Sequence, residues 1–304
     1  MKVSLITTVK NEEENIEDFL ISVINQTKKP AEFIIVDGGS KDNTIKILKN
    51  YTKKYKWIKF FVFKNATIGN GRNIAIKKAK NEIIAVTDCG CILHKNWLKN
   101  ITKPFQNKKV DVVVGIYKPY YINDFEYFQG LIVVPPPRKI FMNPSRMSSK
   151  SMAFKKTVWK EVGGYPDLNV GEDTEFNLKL LEKKYIFAFS KNAIVYWKMR
   201  KSWKEFFKQF YRYGVGDRKS GNLWKMEKNL MLVMDFWLYI FVTFASLILN
   251  TIDSFIIIIA LFSLFVLNSL KIAAKSRSLK GFFYGFTFYL IKRVAYILGA
   301  GLGK

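Results

Sequence analysis

The first 88 residues alternate short β-rich runs with helical patterns, and this alternation constrains the fold more than any other feature. Val3–Val9 reads as a buried strand. Asn11 has N-cap character with Glu14 at N3, the capping-box spacing. Behind it Ile16, Phe19, Leu20, Val23 and Ile24 recur on one apolar helix face. Phe33–Val36 is a second predicted strand, followed by Asp37-Gly38-Gly39-Ser40 and a helix from about Asn43 to Tyr51. Lys59–Phe63 is a third strand, Asn73–Ala79 a short helix, and Ile83–Thr87 a fourth strand ending at Asp88. This order predicts an α/β fold with a mainly parallel sheet and helices on both faces. Ligands of such sheets bind beyond the carboxyl ends of the strands, where Thr7–Asn11, Asp37–Ser40 and Asp88–Gly90 fall.

The rest is less regular. Val110–Tyr117 is a predicted strand, Pro135-Pro136-Pro137 excludes a helix interior or central strand, and Glu172–Lys184 is a helix opened by two acids. Phe187–Phe189 and Ile194–Trp197 read as short strands. From Lys198 to Lys219, Trp203, Phe206, Phe207, Phe210, Tyr211 and Tyr213 interleave with Lys and Arg, the pattern of an interfacial helix on an anionic membrane. A surface helix packed on a domain would carry the same face. Leu230–Asn250 and Ser254–Leu270 are long and apolar enough for two spans, and Lys225, Lys228, Lys271, Lys275, Arg277 and Lys280 flank them on one side. A hairpin with both bases cytoplasmic is expected. Gly281–Gly303 carries Lys292-Arg293 at its centre, which predicts a re-entrant or interfacial helix rather than a third span. The expected organisation is a sheet domain over 1–197, a basic segment over 198–229 and a membrane region over 230–304.

The chain has 50 Lys+Arg against 24 Asp+Glu, a net charge of +26, yet only seven of those bases and two acids follow Asn229. Such a charge raises the prospect of a nucleic-acid binder. The bases are scattered rather than clustered, however, and two spans have no place in that class. Two cysteines exclude a disulfide framework and point to a reducing compartment. The start shows no signal-peptide pattern, so the basic part is expected in the cytoplasm, on a multi-pass protein of the cell membrane. Cys89, Cys91 and His94 form a C-x-C-x-x-H cluster, but a structural zinc takes four ligands and the sequence has no other Cys or His. His94 is expected near the start of the helix carrying Trp97 and Leu98.

Three acidic positions stand out. Asp37 and Asp88 each end a strand before a Gly, so a carboxylate projects into the crevice. Glu172-Asp173 follow Gly171 at a helix start, where an ionised carboxylate is stabilised and is a candidate base. Taken singly, Asp37 and Asp173 also read as N-caps and Asp88 as a turn residue.

The chain resembles the family 2 glycosyltransferases, inverting nucleotide-sugar enzymes with a GT-A, Rossmann-like fold. The likeness covers about residues 1–220. It is carried by Ser4–Glu12, Ile34–Thr44, Gly69-Asn70-Gly71-Arg72-Asn73, Val86–Cys91 with Trp97-Leu98, and Gly163-Gly164-Tyr165-Pro166 with Gly171–Glu175. The resemblance implies that Thr8, Asn11, Glu12 and Asp37 hold the nucleobase and ribose, and that Arg72 helps hold the base or diphosphate. It also implies that Asp88 is the first acid of a metal-binding Asp-x-Asp and that Asp173, beside Glu172, is the catalytic base. A divalent Mg or Mn ion would offset charge on the departing diphosphate. The second acid of that motif is Gly90 here, so metal ligation would rest on Asp88 and diphosphate oxygens. Gln209-Phe210-Tyr211-Arg212-Tyr213 resembles the Gln-x-x-Arg-Trp element of polysaccharide synthases, with Gln209 and Arg212 on the acceptor side. The expectation is a membrane-attached transferase moving a sugar from a UDP- or GDP-sugar to a lipid-linked acceptor, polyprenyl phosphate or a lipid-linked saccharide. The alternative within the class is a subunit of a polysaccharide synthase.

Overall fold

In the computed structural model, which describes residues 1–142, 147–221, 244 and 265–303, the chain opens with β1 (Val3–Val9), α1 (Ile16–Ile24), β2 (Glu32–Asp37), α2 (Thr44–Lys54), β3 (Ile58–Val62), α3 (Ile68–Lys78) and β4 (Ile83–Val86). It continues through β5 (Cys91–Leu93), α4 (Trp97–Thr102), β6 (Val112–Tyr120), α5 (Asp124–Val133), α6 (Pro137–Met142), β7 (Met152–Lys155), α7 (Lys156–Glu161), α8 (Glu172–Glu182), β8 (Phe187–Lys198), α9 (Trp203–Lys219) and α10 (Lys280–Leu302). Residues 265–276 are also helical. Two units result: Met1–Tyr120 with Val134–Lys198, and Tyr121–Val133 with Met199–Lys304.

The first unit holds one eight-stranded sheet in the order β3-β2-β1-β4-β7-β6-β8-β5. β3, β2, β1 and β4 run parallel, as their alternation with helices requires, and β6 runs parallel to β8. β7 lies antiparallel between β4 and β6, and β5 pairs antiparallel with β8, so the sheet is mixed. The apolar runs of β1, β2 and β4 are buried on both faces, which is why they read as continuous rather than alternating. Ile34 and Val36 of β2 join the core with Ala75 and Ile76 of α3 and Phe176 and Leu180 of α8. Phe33, one residue out of phase, meets Phe19 of α1 edge-on at 5.9 Å.

Three boundaries differ from the sequence reading, each for a local reason. Asn11 is not the cap of α1. It sits at φ 54°, its N–H donates to Ser40 Oγ (2.8 Å) and its Oδ1 accepts from Lys41 N (2.8 Å), so it belongs to a loop tied to the next βα connection. The helix starts after Asn15. α3 begins at Ile68, before the two glycines, because Thr67 Oγ1 caps it by accepting from Asn70 N. The runs at 187–189 and 194–197 are one strand, β8, interrupted by a register shift between Val114 and Ile116 of β6.

The second unit brings α5, α9, α10 and residues 265–276 around an aromatic centre. Phe288 lies 4.8 Å from Phe206 and 4.5 Å from Trp203, and Trp203 meets Phe125 at 4.7 Å. α9 and α10 approach through glycine: a Cβ on Gly214 would lie 2.1 Å from Tyr296 O, and one on Gly299 would lie 2.0 Å from Tyr211 O. The apolar face of α9, read from sequence as a membrane face, is therefore filled by protein at Phe206 and Phe210. The predicted spans 230–250 and 254–270 lie outside the described residues apart from 244 and 265–270. Among the described residues no helix is long and apolar enough to cross a membrane. The predicted interfacial stretch 281–303 is α10.

In α3 a Cβ on Gly69 would lie 1.8 Å from Pro166 O, whereas one on Gly90 would meet nothing within 4 Å. Gly69→Ala is expected to cost roughly 1–3 kcal/mol as an overpacked contact, and Gly90→Ala to stay within about 0.5 kcal/mol of wild type. Thermal melts of the two variants check both.

Candidate active site

The loops after β1 and β2 are laced together at the carboxyl edge of the sheet. Glu12 N donates to Thr44 Oγ1 (2.8 Å), Glu13 N to Asp42 Oδ2 (3.1 Å), and Asn43 N to Glu13 Oε2 (3.0 Å). Thr8 is half-buried, and Gly71 of α3 packs so closely on it that a Cβ there would lie 2.7 Å from Thr8 Cγ2. Asp37 does not project into the crevice. It is fully buried, with Oδ1 accepting from Gly39 N and Ser40 N (both 2.8 Å) and Oδ2 from Ser40 Oγ (2.6 Å). Its short side chain satisfies its own turn, as Asp does after a strand. Asn11 is exposed and Glu12 half-buried on this lip.

The centre of the site is Arg72. Its Nη1 donates to Glu172 Oε1 at 2.6 Å and its Nη2 to Asp88 Oδ1 at 2.7 Å, with the guanidinium 5.2 Å from the Tyr165 ring. Arg72 is 2% exposed, so it is not an open ligand for a base or diphosphate; it acts by joining α3, the end of β4 and the start of α8. Asn73 secures the same junction, accepting from Trp159 Nε1 and Tyr165 N (both 2.9 Å) and donating to Tyr165 O (2.7 Å).

Charge follows from this geometry. Burial alone would raise the Asp88 carboxyl, but the Arg72 guanidinium and Lys150 ammonium overcome it and hold the group below the usual carboxylate range. Burial raises Glu172 in spite of Arg72, and the neighbouring Asp173 adds to the rise. Asp173, half-buried, has Oδ2 accepting from Ser148 Oγ at 3.2 Å. Gly171 enters α8 at φ 84°, and the first turn carries Glu172, Asp173 and Glu175 at the positive end of the helix.

Sequence reasoning missed Ser148, Lys150 and the role of Tyr165. Lys150 Nζ lies 3.9 Å from Asp88 Oδ2, reached from a turn without a motif of its own. Gln209 proves to be 6% exposed, with Oε1 accepting from Arg200 Nε (3.0 Å) and Nε2 donating to Tyr213 Oη (2.8 Å). It is a packing residue of the second unit rather than an open contact. Arg212 is exposed. Cys89 and Cys91 are buried with thiols pushed up by desolvation, and among the described residues no three His, Cys, Asp or Glu side chains are placed to hold a metal ion. A divalent ion would find one hard oxygen donor, Asp88, whose side chain is 30% exposed, beside the open space at Gly90. That set fits an ion taking its other ligands from diphosphate and water, as Mg²⁺ does.

The family model described as Glycosyl transferase family 2 matches residues 4–160, and that described as Glycosyl transferase family group 2 matches residues 83–298. The chain belongs to glycosyl transferase family 2. It is a glycosyltransferase. It is 25% identical over 249 residues to Glycosyltransferase AglE of Haloferax volcanii, across 78% of this chain and 80% of that protein. Mannosyltransferase PcManGT from Pyrobaculum calidifontis, solved with GDP-Man and Mn²⁺, shares the fold with a TM-score of 0.64 at 15% identity, across 100% of this chain and 88% of that one. S. aureus TarS 1-349, solved with UDP-GlcNAc, superposes with a TM-score of 0.54 at 21% identity, across 71% of this chain and 66% of that one.

In this family 2 member, Arg72→Met would leave Glu172 buried beside Asp173 without its cation. A loss of roughly 3–5 kcal/mol is expected, as for one partner removed from a buried pair. Adding Glu172→Gln should recover part of it. Melting temperatures of the single and double variants measure the coupling.

Proposed function

We propose that residues 1–197 are the catalytic part of an enzyme that moves one sugar from a nucleotide-diphosphate donor, UDP- or GDP-linked, to a lipid-linked acceptor on the cytoplasmic face of a membrane. The observation that carries the reading is the Arg72 bridge, which ties Asp88, at the end of β4, to the residue preceding Asp173. A donor-side carboxylate and the residue next to a base are thereby held by one buried cation. Asp173 takes the proton of an acceptor hydroxyl as that oxygen attacks the anomeric carbon. The bond from that carbon to the diphosphate oxygen breaks with its electron pair, and configuration inverts. A base has a task only where a proton must leave, so Asp173 favours the hydroxyl of a lipid-linked saccharide over polyprenyl phosphate. Thr8, Asn11 and Glu12 line the nucleoside side, with Asp37 shaping the loop beneath them. Asp88 would hold a divalent ion, which when bound supplies positive charge to the diphosphate.

The neighbours solved with GDP-Man or UDP-GlcNAc support a nucleotide-sugar donor. A membrane setting is supported by α10, where Phe283 and Leu290 are exposed and share a helical stripe with Leu279 just before it, beside Lys280.

A panel of UDP- and GDP-sugars, read by thermal stabilisation with and without Mn²⁺, should find at least one stabilising donor; none would sink the donor assignment. With that donor, Asp173→Asn is expected to lower transfer by about 10²–10⁴-fold while nucleotide affinity stays unchanged. Transfer at wild-type rate would move the base to another residue, Glu172 first.

A further inference from the structure

Four consecutive residues before β7 each hold a different part of the first unit. Ser148 Oγ donates to Asp173 Oδ2, and Ser149 Oγ lies 3.1 Å from Tyr165 Oη. Ser151 Oγ accepts from Trp97 Nε1 (2.9 Å) and donates to Ala193 O (3.1 Å). Lys150 stands between these ties. Its Nζ lies 4.5 Å from the centroid of the Trp197 ring and 5.8 Å from that of Tyr117, two rings that meet edge-on at 6.2 Å. The ammonium ends 3.3 Å from Ser148 Oγ and 3.9 Å from Asp88 Oδ2. An aromatic floor and a pinned backbone thus fix one positive charge beside Asp88.

Arg72 closes on its two carboxylates at 2.7 and 2.6 Å, and Lys150 Nζ stands 3.9 Å from the other oxygen of Asp88. A diphosphate brings further negative charge to a strand end where Asp88 already carries one. Of the two cations on Asp88, Arg72 is 2% exposed and clamped between two carboxylates, so it has little freedom to meet a ligand. Lys150 approaches the other oxygen of a carboxylate that is 30% exposed. Gly90 adds no acid there, and the space around it is open.

We propose that Lys150 is a ligand of the donor diphosphate: its ammonium meets the terminal phosphate oxygens and supplies part of the charge neutralisation that the absent acid at position 90 would have supported through a metal. The inference rests on reading this strand end as the donor site. It is tested by titration calorimetry of the full chain with UDP, UMP, GDP and GMP, in EDTA and in Mn²⁺. In whichever buffer the wild type binds, Lys150→Met should weaken the diphosphate about tenfold or more, leave the matching monophosphate unchanged, and be largely rescued by Lys150→Arg. Equal diphosphate affinity in wild type and Lys150→Met would overturn the proposal. So would an equal loss for mono- and diphosphate, which marks a lysine that only supports the fold. A wild type that binds neither UDP nor GDP in either buffer would instead overturn the donor reading itself.

Discussion

A guanidinium taken out of water costs several kcal/mol unless it is compensated, and Arg72 is compensated at Nη1 and Nη2 by two carboxylates from distant parts of the chain, while its Nε has no partner among the described residues. Because its donors project from a rigid planar fork, the residue sets the spacing of Asp88 and Glu172 as well as attracting them. The neighbouring glycines serve the same end. Gly69 lets α3 reach Pro166, and Gly71 lets it reach Thr8; a side chain at either position would push the fork away from both acids. Gly69-Asn70-Gly71-Arg72-Asn73 is one physical device, two close approaches followed by an ionic and an amide anchor.

The bridge also separates two adjacent acids that sequence alone leaves equivalent. Glu172 is buried, faces inward and is engaged by Arg72, while Asp173 is half-buried and held by a serine hydroxyl. Two carboxylates side by side at a helix start repel, and Asp173 adds to the upward shift of Glu172. The inward-facing Glu172 is taken up by the buried guanidinium, and Asp173 is left toward the open side. Under the proposed reading this assigns the proton-accepting task to Asp173 and a positioning task to Glu172.

The strands and the strand-end loops were legible because buried parallel strands leave continuous apolar runs and their loops carry Gly, Asp and Asn. What was not legible depended on partners far along the chain. Asn11 has the composition of a helix cap, yet its hydrogen bonds go to Ser40 and Lys41. Asp37 looks like a projecting carboxylate, yet its own turn absorbs it. The stripe of α9 shows an amphipathic helix without saying whether lipid or protein covers it, and Phe288 of α10 decides for protein at Phe206. Lys150 had no local signal at all, since its meaning comes from Trp197 and Asp88.

Position 90 shows how an absent motif residue can be read physically. Among the described residues no heavy atom lies within 4 Å of where a Cβ would stand, so their packing does not demand glycine there. An acid at 90 would place a second carboxylate near Asp88, a balance suited to recruiting a cation. With glycine, the strand end keeps one carboxylate, Asp88, which shares Arg72 with Glu172 and faces Lys150, and Lys150 is the charge that the proposed reading offers to an anion. A diphosphate is such an anion, and it brings its own oxygens to any metal that accompanies it. Under the proposed reading, the departure at Gly90 and the lysine at 150 belong to one electrostatic arrangement, in which Lys150 takes part of the neutralisation at the strand end.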